Sequence, residues 1–303
     1  TTSGINPATA NGTNITYRIE RAPKIYDPVA ATLALWVADA NKGFVPTGCP
    51  LLAYYRDRMV LGGHPVAPHA WFAARAGDPL DWDYAAVETD GARAVAGAST
   101  TGGGLGSPLS ALAPYSDDFM IMGCDSSLWL MRGDPAMGGG LNAISRHIGI
   151  VDKQAWTFAS DGSFIFLARE GLYGLPPGAR GFPQLLSDKL PLELRDIDRV
   201  QYSVQLAWDI RGQGIHIYLI PKSATQQLHW WFDWTSQSFW PVRIPGTMDP
   251  MTLWAYSATD ATESAVLLGG RDGYVRRFRD TSPNDDGTAI SSYVLIGPIL
   301  LGE

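Results

Sequence analysis

The sequence predicts an all-β protein built like a propeller, with about five to six blades of short antiparallel strands. Apolar runs of strand length recur along the chain and end in turn residues, while sustained helical periodicity is nearly absent. Hairpin-like units also repeat: Leu128 and Leu172 lie 44 residues apart, and Phe239 and Tyr274 lie 35 apart. Strand repeats on this scale are typical of propeller blades. A β-sandwich or barrel with loop insertions is the alternative fold.

The composition favours a folded protein rich in turns. Of the 303 residues, 46% are apolar and only 17% are charged, so there is material for a core and too little charge for a disordered chain. The 33 glycines and 21 prolines supply turns, and the 11 tryptophans and 12 tyrosines suit strands. No apolar stretch approaches the roughly 20 residues of a membrane helix.

Eight apolar runs have strand length. These runs are Leu51–Tyr55, Met59–Leu61, Ala70–Ala73, Phe119–Met122, Ser127–Met131, Ser163–Leu167, Gly214–Ile220 and Ala265–Leu268. The best helix candidate is the alanine-rich Val29–Ala38. Residues 186–194, rich in Leu and Pro, predict a long connection between blades with room for a short helical turn.

Three domains of the chain follow from this pattern. Residues 1–28 form a polar N-terminal arm or first strand, residues 29–290 form the propeller body, and residues 291–303 form a C-terminal strand or tail.

Two Asp-Gly pairs predict tight hairpin turns. Asp161-Gly162 and Asp272-Gly273 each separate two apolar runs, and Asp-Gly is typical of the two-residue type I′ turn because both central residues need positive φ. Asp57-Arg58 lies between two further runs and predicts another connector.

Four tryptophans, Trp230, Trp231, Trp234 and Trp240, cluster in one predicted hairpin. Strand alternation places Trp230 and Trp234 on one face and Trp231 on the other. Packing between blades, a subunit interface and a stacking platform for sugars all remain open for these side chains.

The carboxylates offer one weak catalytic pattern. Asp81 and Asp83 flank Trp82, and residues i and i+2 of a strand lie about 6.6 Å apart on one face. A glycosidase needs two carboxylates about 5 to 9.5 Å apart, but a surface loop explains this pair equally well. A carbohydrate-binding or glycosidase-like propeller is therefore the alternative function. It predicts a pocket beside an exposed tryptophan that holds at least two of Asp78, Asp81, Asp83, Asp117 and Asp118.

Metal and cofactor motifs are weak or missing. His64 and His69 are separated by two prolines, which excludes a helical ligand pair. His216 lies in mid-strand, and alternation predicts a solvated side chain on the face opposite its isoleucine neighbours. The glycine-rich segments Gly102–Gly106 and Gly138–Gly140 lack the Lys-Ser/Thr or helix of a phosphate loop. We therefore expect no enzyme activity, no metal and no cofactor.

The two cysteines, Cys49 and Cys124, have no metal-like spacing. We expect two buried thiols in a reducing cytoplasm, with a disulfide between them as the alternative.

Several turn-and-strand phrases make the chain similar to a known family, the propeller-type structural proteins of tailed bacteriophages. They span about residues 50–278 and are Leu51–Gly63, Ala76–Trp82, Leu128–Pro135, Ile144–Ile150, Asp161–Tyr173 and Leu267–Tyr274.

The resemblance implies a structural role without catalytic residues. Such proteins form the nozzle or hub ring below the head-to-tail connector and surround the DNA exit channel. The implied partners are copies of the chain in a hexameric ring, the connector or adaptor protein, and tail fibres or spikes. The implied location is the virion tail, after synthesis in the host bacterial cytoplasm. A formal charge of −7 suits a wall past which DNA slides without sequence-specific binding.

Overall fold

The computed structural model describes residues 23–97, 107–187, 189–195, 197–222, 227–245, 250–278, 282 and 284–290. The glycine-rich segment 102–106 discussed above and the two chain ends, 1–22 and 291–303, lie outside these ranges. Within the described ranges the chain is almost entirely β, and five antiparallel sheets form the blades of a propeller. The predicted fold class is therefore confirmed, with five blades.

A hairpin of β1 (Lys24–Asp27) and β2 (Thr32–Leu35) precedes the propeller. The helix predicted over Val29–Ala38 is therefore wrong. Asp27 reverses the chain, because its Oδ1 accepts the amide protons of Val29 at 2.8 Å and Ala30 at 3.2 Å. Ala31 has a φ of 52°, outside the right-handed helical region. This local turn overrides the helix propensity of the alanines.

Four blades have four strands each. Blade 1 contains β3 (Leu51–Tyr55), β4 (Arg58–Gly62), β5 (Trp71–Ala73) and β6 (Val95–Gly97). Blade 2 contains β7 (Leu109–Pro114), β8 (Phe119–Cys124), β9 (Leu128–Arg132) and β10 (Gly140–Ser145). Blade 3 contains β11 (Trp156–Phe158), β12 (Phe164–Leu167), β13 (Leu172–Leu175) and β14 (Gln184–Ser187). Blade 4 contains β15 (Tyr202–Asp209), β16 (Gly214–Pro221), β17 (Leu228–Asp233) and β18 (Ser238–Val242).

Blade 5 has three strands within the described ranges. They are β19 (Pro250–Tyr256), β20 (Ala265–Gly270) and β21 (Val275–Arg277). A last hairpin pairs β22 (Asn284–Asp285) with β23 (Thr288–Ala289). The helix α1 (Leu192–Arg195) lies between blades 3 and 4, where the sequence predicts a helical turn, and a 3₁₀ turn spans Ala261–Glu263.

The core lies between the blades. In every blade the strands follow chain order, so each blade is a meander. One apolar cluster joins blades 1 and 2, a larger one joins blades 2, 3 and 4, and a third joins blades 4 and 5. Both faces of a middle blade are therefore buried, as in β16, whose eight residues are all buried.

Both predicted Asp-Gly connections are tight turns, but they are not type I′. Gly162 has a φ of 81° and Gly273 a φ of 84°, whereas both aspartates have negative φ. The Gly162 amide donates to the Ala159 carbonyl at 3.0 Å. This is a type I turn closed by a glycine in the left-handed region, the usual three-residue hairpin loop.

Type I′ geometry occurs one residue before the predicted Asp57-Arg58 connector. Arg56 and Asp57 have φ values of 49° and 58°, and β4 begins at Arg58. Two successive positive φ values fit the twist of the flanking strands.

Gly149 lies where the chain crosses from blade 2 to blade 3, against a backbone that leaves no room for a side chain. A Cβ there would lie 2.1 Å from the Cys124 carbonyl oxygen. We expect Gly149→Ala to lower the free energy of unfolding by about 1–3 kcal/mol through overpacking. The control Gly140→Ala, which meets nothing within 4 Å, is expected to change it by less than about 0.5 kcal/mol. Urea unfolding measures both, and equal effects would contradict the close contact.

Candidate functional site

A cavity of about 710 Å³ lies on the propeller axis. It is lined by the first strands of all five blades, which identifies β3, β7, β11, β15 and β19 as the strands nearest the axis. We call it the axial cavity. Its larger side chains are Leu52, Tyr54, Leu112, Trp156, Phe158, Leu206, Trp208, Ile210, Leu253, Trp254 and Tyr256.

Among the residues that the structure describes, the lining of the axial cavity contains no aspartate, glutamate, histidine or cysteine, and Lys153 is its charged residue. A glycosidase-type carboxylate pair and the usual protein ligands of a metal ion require side chains that the described lining lacks. In the described ranges, no group of three or more such residues is placed to hold a metal ion. The described lining is mainly apolar and aromatic.

Gln205 connects the innermost strands of three blades. Its side chain is buried and hydrogen-bonds to the side chain of Gln154 beside β11, while its Oε1 accepts the Leu253 amide of β19 at 2.6 Å. The Leu206 amide adds a bond to the Gln154 carbonyl at 2.9 Å. These bonds hold blades 3, 4 and 5 together at the axis.

Blades 1 and 5 each contribute to the lining of the axial cavity apolar side chains that are about half exposed. Leu52 and Tyr54 of β3 are 55% and 58% exposed, and Trp254 and Tyr256 of β19 are 59% and 47% exposed. We call these four side chains the seam. In the described part of the chain, no apolar cluster contains residues of both blades.

The four predicted tryptophans of blade 4 divide as alternation predicts. Trp230 and Trp234 pack against the large cluster of blades 2 to 4. Trp231 lies on the opposite face, with its ring centroid 4.7 Å from that of His216. Trp240 is 58% exposed, and its Nε1 donates to Ser238 Oγ at 3.0 Å. Of the four, Trp240 is the side chain open to a partner.

The predicted carboxylates Asp81 and Asp83 lie in one turn of the chain, outside the described lining of the axial cavity. Trp82 between them is fully buried, and Asp81 Oδ1 accepts the amide of Asp83 at 3.1 Å, which makes a turn. Lys42 Nζ lies 2.7 Å from Asp78 and 3.8 Å from Asp81. The hydrogen bond from Lys42 lowers the pKa of Asp78. These residues close a loop on blade 1.

Asp117 and Asp118 also lie outside the axial cavity. Their carbonyl oxygens accept bonds from Arg56 Nη1 at 3.1 Å and from the Tyr55 hydroxyl at 3.0 Å. The pocket that the carbohydrate hypothesis predicts, with two of the five aspartates beside an exposed tryptophan, is not the cavity found here.

The prediction of a solvated His216 is wrong. His216 is buried, and its Nδ1 lies 2.9 Å from Nε2 of His229, which is buried as well. Alternation misplaced it because a middle blade packs on both faces. His64 has a local role: its Nδ1 accepts the amides of Val66 and Ala67 at 3.2 Å.

The cysteines are not joined by a disulfide. Cys124 is buried in β8, and burial raises the pKa of its thiol to about 11. It therefore stays protonated and unreactive at neutral pH.

Tyr115 is a positioning residue that the sequence did not reveal. Its hydroxyl donates to the Gly162 carbonyl at 2.6 Å and accepts the Gly178 amide at 2.7 Å, so it ties blade 2 to two turns of blade 3. Its partners lie 47 and 63 residues away in the sequence, so no local sequence pattern predicts these contacts.

No family model and no curated protein sequence matches the chain. Similar solved structures include the N-terminal domain of Nup159, at 9% identity and a TM-score of 0.45, covering 76% of this chain and 60% of that one. Dihydro-heme d1 dehydrogenase NirN has 12% identity and a TM-score of 0.43, and the match covers 85% of this chain and 52% of the NirN chain. Streptogramin B lyase has 9% identity and a TM-score of 0.34, and the match covers 80% of this chain and 86% of the lyase. The chain thus spans 60% and 52% of the first two, and at these TM-scores the likenesses carry no argument about function.

No helix in the described ranges has the length and apolar character needed to cross a membrane.

Proposed function

We propose that the chain is a structural subunit of a bacteriophage tail, part of the nozzle or hub ring that surrounds the DNA exit channel below the head-to-tail connector. The observation that carries the proposal is the seam, four large apolar side chains that line the axial cavity and are about half exposed. Soluble monomers rarely expose contiguous large apolar patches, and such patches are typical of sites where proteins associate.

The chemistry of the axial cavity also supports a structural role. Among the described residues, its walls lack carboxylates, imidazoles and thiols, so a carboxylate pair or a set of the usual metal ligands is missing from this cavity. The phage-like phrases of the sequence supply the assignment to a tail.

The exposed aromatic side chains fit contacts with other subunits. Trp and Tyr are enriched in protein interfaces because each buries a large area and loses little conformational entropy. Trp254 and Tyr256 on blade 5 and Trp240 on blade 4 are the candidates for contacts between copies or with the connector.

A double variant tests the seam as a contact between copies. We expect the wild type to form a closed oligomer and Trp254→Ser/Tyr256→Ser to weaken association by at least about tenfold, because each loses buried apolar area on assembly. The control Phe182→Ser, at an exposed position of blade 3 outside the cavity, should assemble like the wild type. Light scattering across a concentration series measures the mass. A wild type that stays monomeric at every concentration would contradict the proposal.

A further inference from the structure

Two histidines form a buried pair between blades 4 and 5. His216 is on β16 and His229 on β17, and their rings share one hydrogen bond, from one imidazole nitrogen to the other. Phe278, which follows β21 of blade 5, stacks on His216 with ring centroids 4.5 Å apart. The third apolar cluster, which joins the two blades, also includes Phe278. The pair therefore lies at the interface through which blade 5 packs on blade 4.

The remaining two ring nitrogens of the pair have different surroundings. Both nitrogens are buried without a hydrogen-bond partner in the described structure, but His216 Nε2 lies 3.7 Å from Asp209 Oδ2 of β15, within ion-pair distance. A neutral pair carries two protons, one in the shared bond and one on an outer nitrogen. The Asp209 carboxylate favours the second proton on His216 Nε2, which leaves a lone pair on His229 Nδ1.

One added proton changes this arrangement. A pair with three protons carries one in the shared bond and one on each outer nitrogen, so His229 Nδ1 becomes a donor. No acceptor lies within hydrogen-bond distance of that atom in the described ranges. A buried donor without an acceptor, next to a new positive charge, is costly in an apolar site.

The other groups around the pair do not supply a compensating charge. Tyr218 and Trp231 of blade 4 and Phe278 of blade 5 present rings. On β21, Arg276 pairs with Asp272 and Asp286, and Arg277 pairs with Glu263. Asp209 is the carboxylate within ion-pair distance, and it faces His216 rather than His229.

We propose that protonation of the His216–His229 pair loosens the packing of blade 5 on blade 4, so that this interface opens locally at mildly acidic pH. Burial, and then the charge of His216, hold the pKa of His229 well below its ordinary value. Because the opened state binds a proton more readily than the closed one, closure is unaffected above about pH 7 and weakens as pH falls below about 6.5. The inference does not depend on the proposed tail function.

Hydrogen exchange resolved by strand tests the proposal. Amide protection in β20, corrected for the intrinsic exchange rate, is compared with that in β12 of blade 3 at about pH 7.5 and about pH 5. We expect the β20-to-β12 ratio to fall by at least about tenfold in the wild type, the change that one pKa unit produces. In His229→Gln, which keeps a donor for His216 and does not titrate, the ratio should be independent of pH.

The exposed His147→Gln serves as the control and should behave like the wild type. A urea midpoint at about pH 7.5 shows whether His229→Gln is folded; if it is not, the double variant His216→Gln/His229→Gln, which removes both imidazoles, replaces it. A wild-type ratio that does not change with pH would overturn the proposal. So would a folded His229→Gln variant, or a folded double variant, that keeps the wild-type pH dependence.

Discussion

Replacing Arg58 by Met is expected to lower the free energy of unfolding by about 3–5 kcal/mol, the range for breaking a buried ion pair from one side. Arg58 is fully buried in β4, and its guanidinium lies 3.2 Å from the Asp134 carboxylate of blade 2. It also donates to four backbone carbonyls of blade 1 and its loop. These carbonyls belong to Ala74, Gly91, Ala92 and Arg93.

The large effect follows from what the substitution leaves behind. Methionine fills much of the volume but donates no hydrogen bond, so the Asp134 carboxylate and four carbonyl oxygens each lose the donor that Arg58 supplies. Arg58→Lys keeps the positive charge but loses the several N–H donors of the planar guanidinium. Its free energy of unfolding should therefore lie between those of the wild type and Arg58→Met.

The control for this series is Arg169→Met. Arg169 also pairs with a carboxylate, that of Asp125, but its side chain is 62% exposed. We expect it to change the free energy of unfolding by less than about 1 kcal/mol. Urea unfolding followed by tryptophan fluorescence measures all three variants. A loss for Arg58→Met no larger than that for Arg169→Met would show that the buried network does not stabilise the fold.

Trp82→Ala is expected to destabilise the protein by about 3–5 kcal/mol, as for other fully buried aromatic residues. Trp82 packs edge-on against Trp36 at a centroid distance of 5.9 Å, and both indole N–H groups donate to the Pro79 carbonyl. The two rings hold the segment before β3 against blade 1. Removing one ring leaves a cavity and frees this segment.

This variant also separates the structural hypothesis from the carbohydrate one. A sugar platform built from Trp82 and its flanking aspartates would survive Trp82→Ala with its stability intact and lose only glycan binding. The control Trp240→Ala, at an exposed ring, should change the unfolding free energy by less than about 1 kcal/mol. Equal stability of Trp82→Ala and wild type would contradict the structural role.

The strands were predictable because their signals are local. Each of the eight apolar runs overlaps a strand of the structure, and both Asp-Gly pairs lie in hairpin turns. The turn type was not predictable from the pair itself. Ala159 and Ser163 close the loop around Asp161-Gly162 in a three-residue form that the same dipeptide also fits.

The remaining errors come from contacts between blades. Alternation gives His216 a solvated face, but a neighbouring blade covers that face through Phe278, which lies 62 residues later (278 − 216). In the sequence Arg58 cannot be told from a surface arginine. Its burial goes with a contact to Asp134, which lies 76 residues away. The seam could not be predicted either, because its residues come from β3 and β19, about 200 residues apart in the sequence.

Electron microscopy of the purified protein, and of tail-containing particles that carry it, tests the central claim most directly. The account predicts a closed ring, sixfold and coaxial with the tail, with the seam of blades 1 and 5 at a contact between subunits. A stable monomer in solution, together with no density for the propeller around the tail axis, would contradict it.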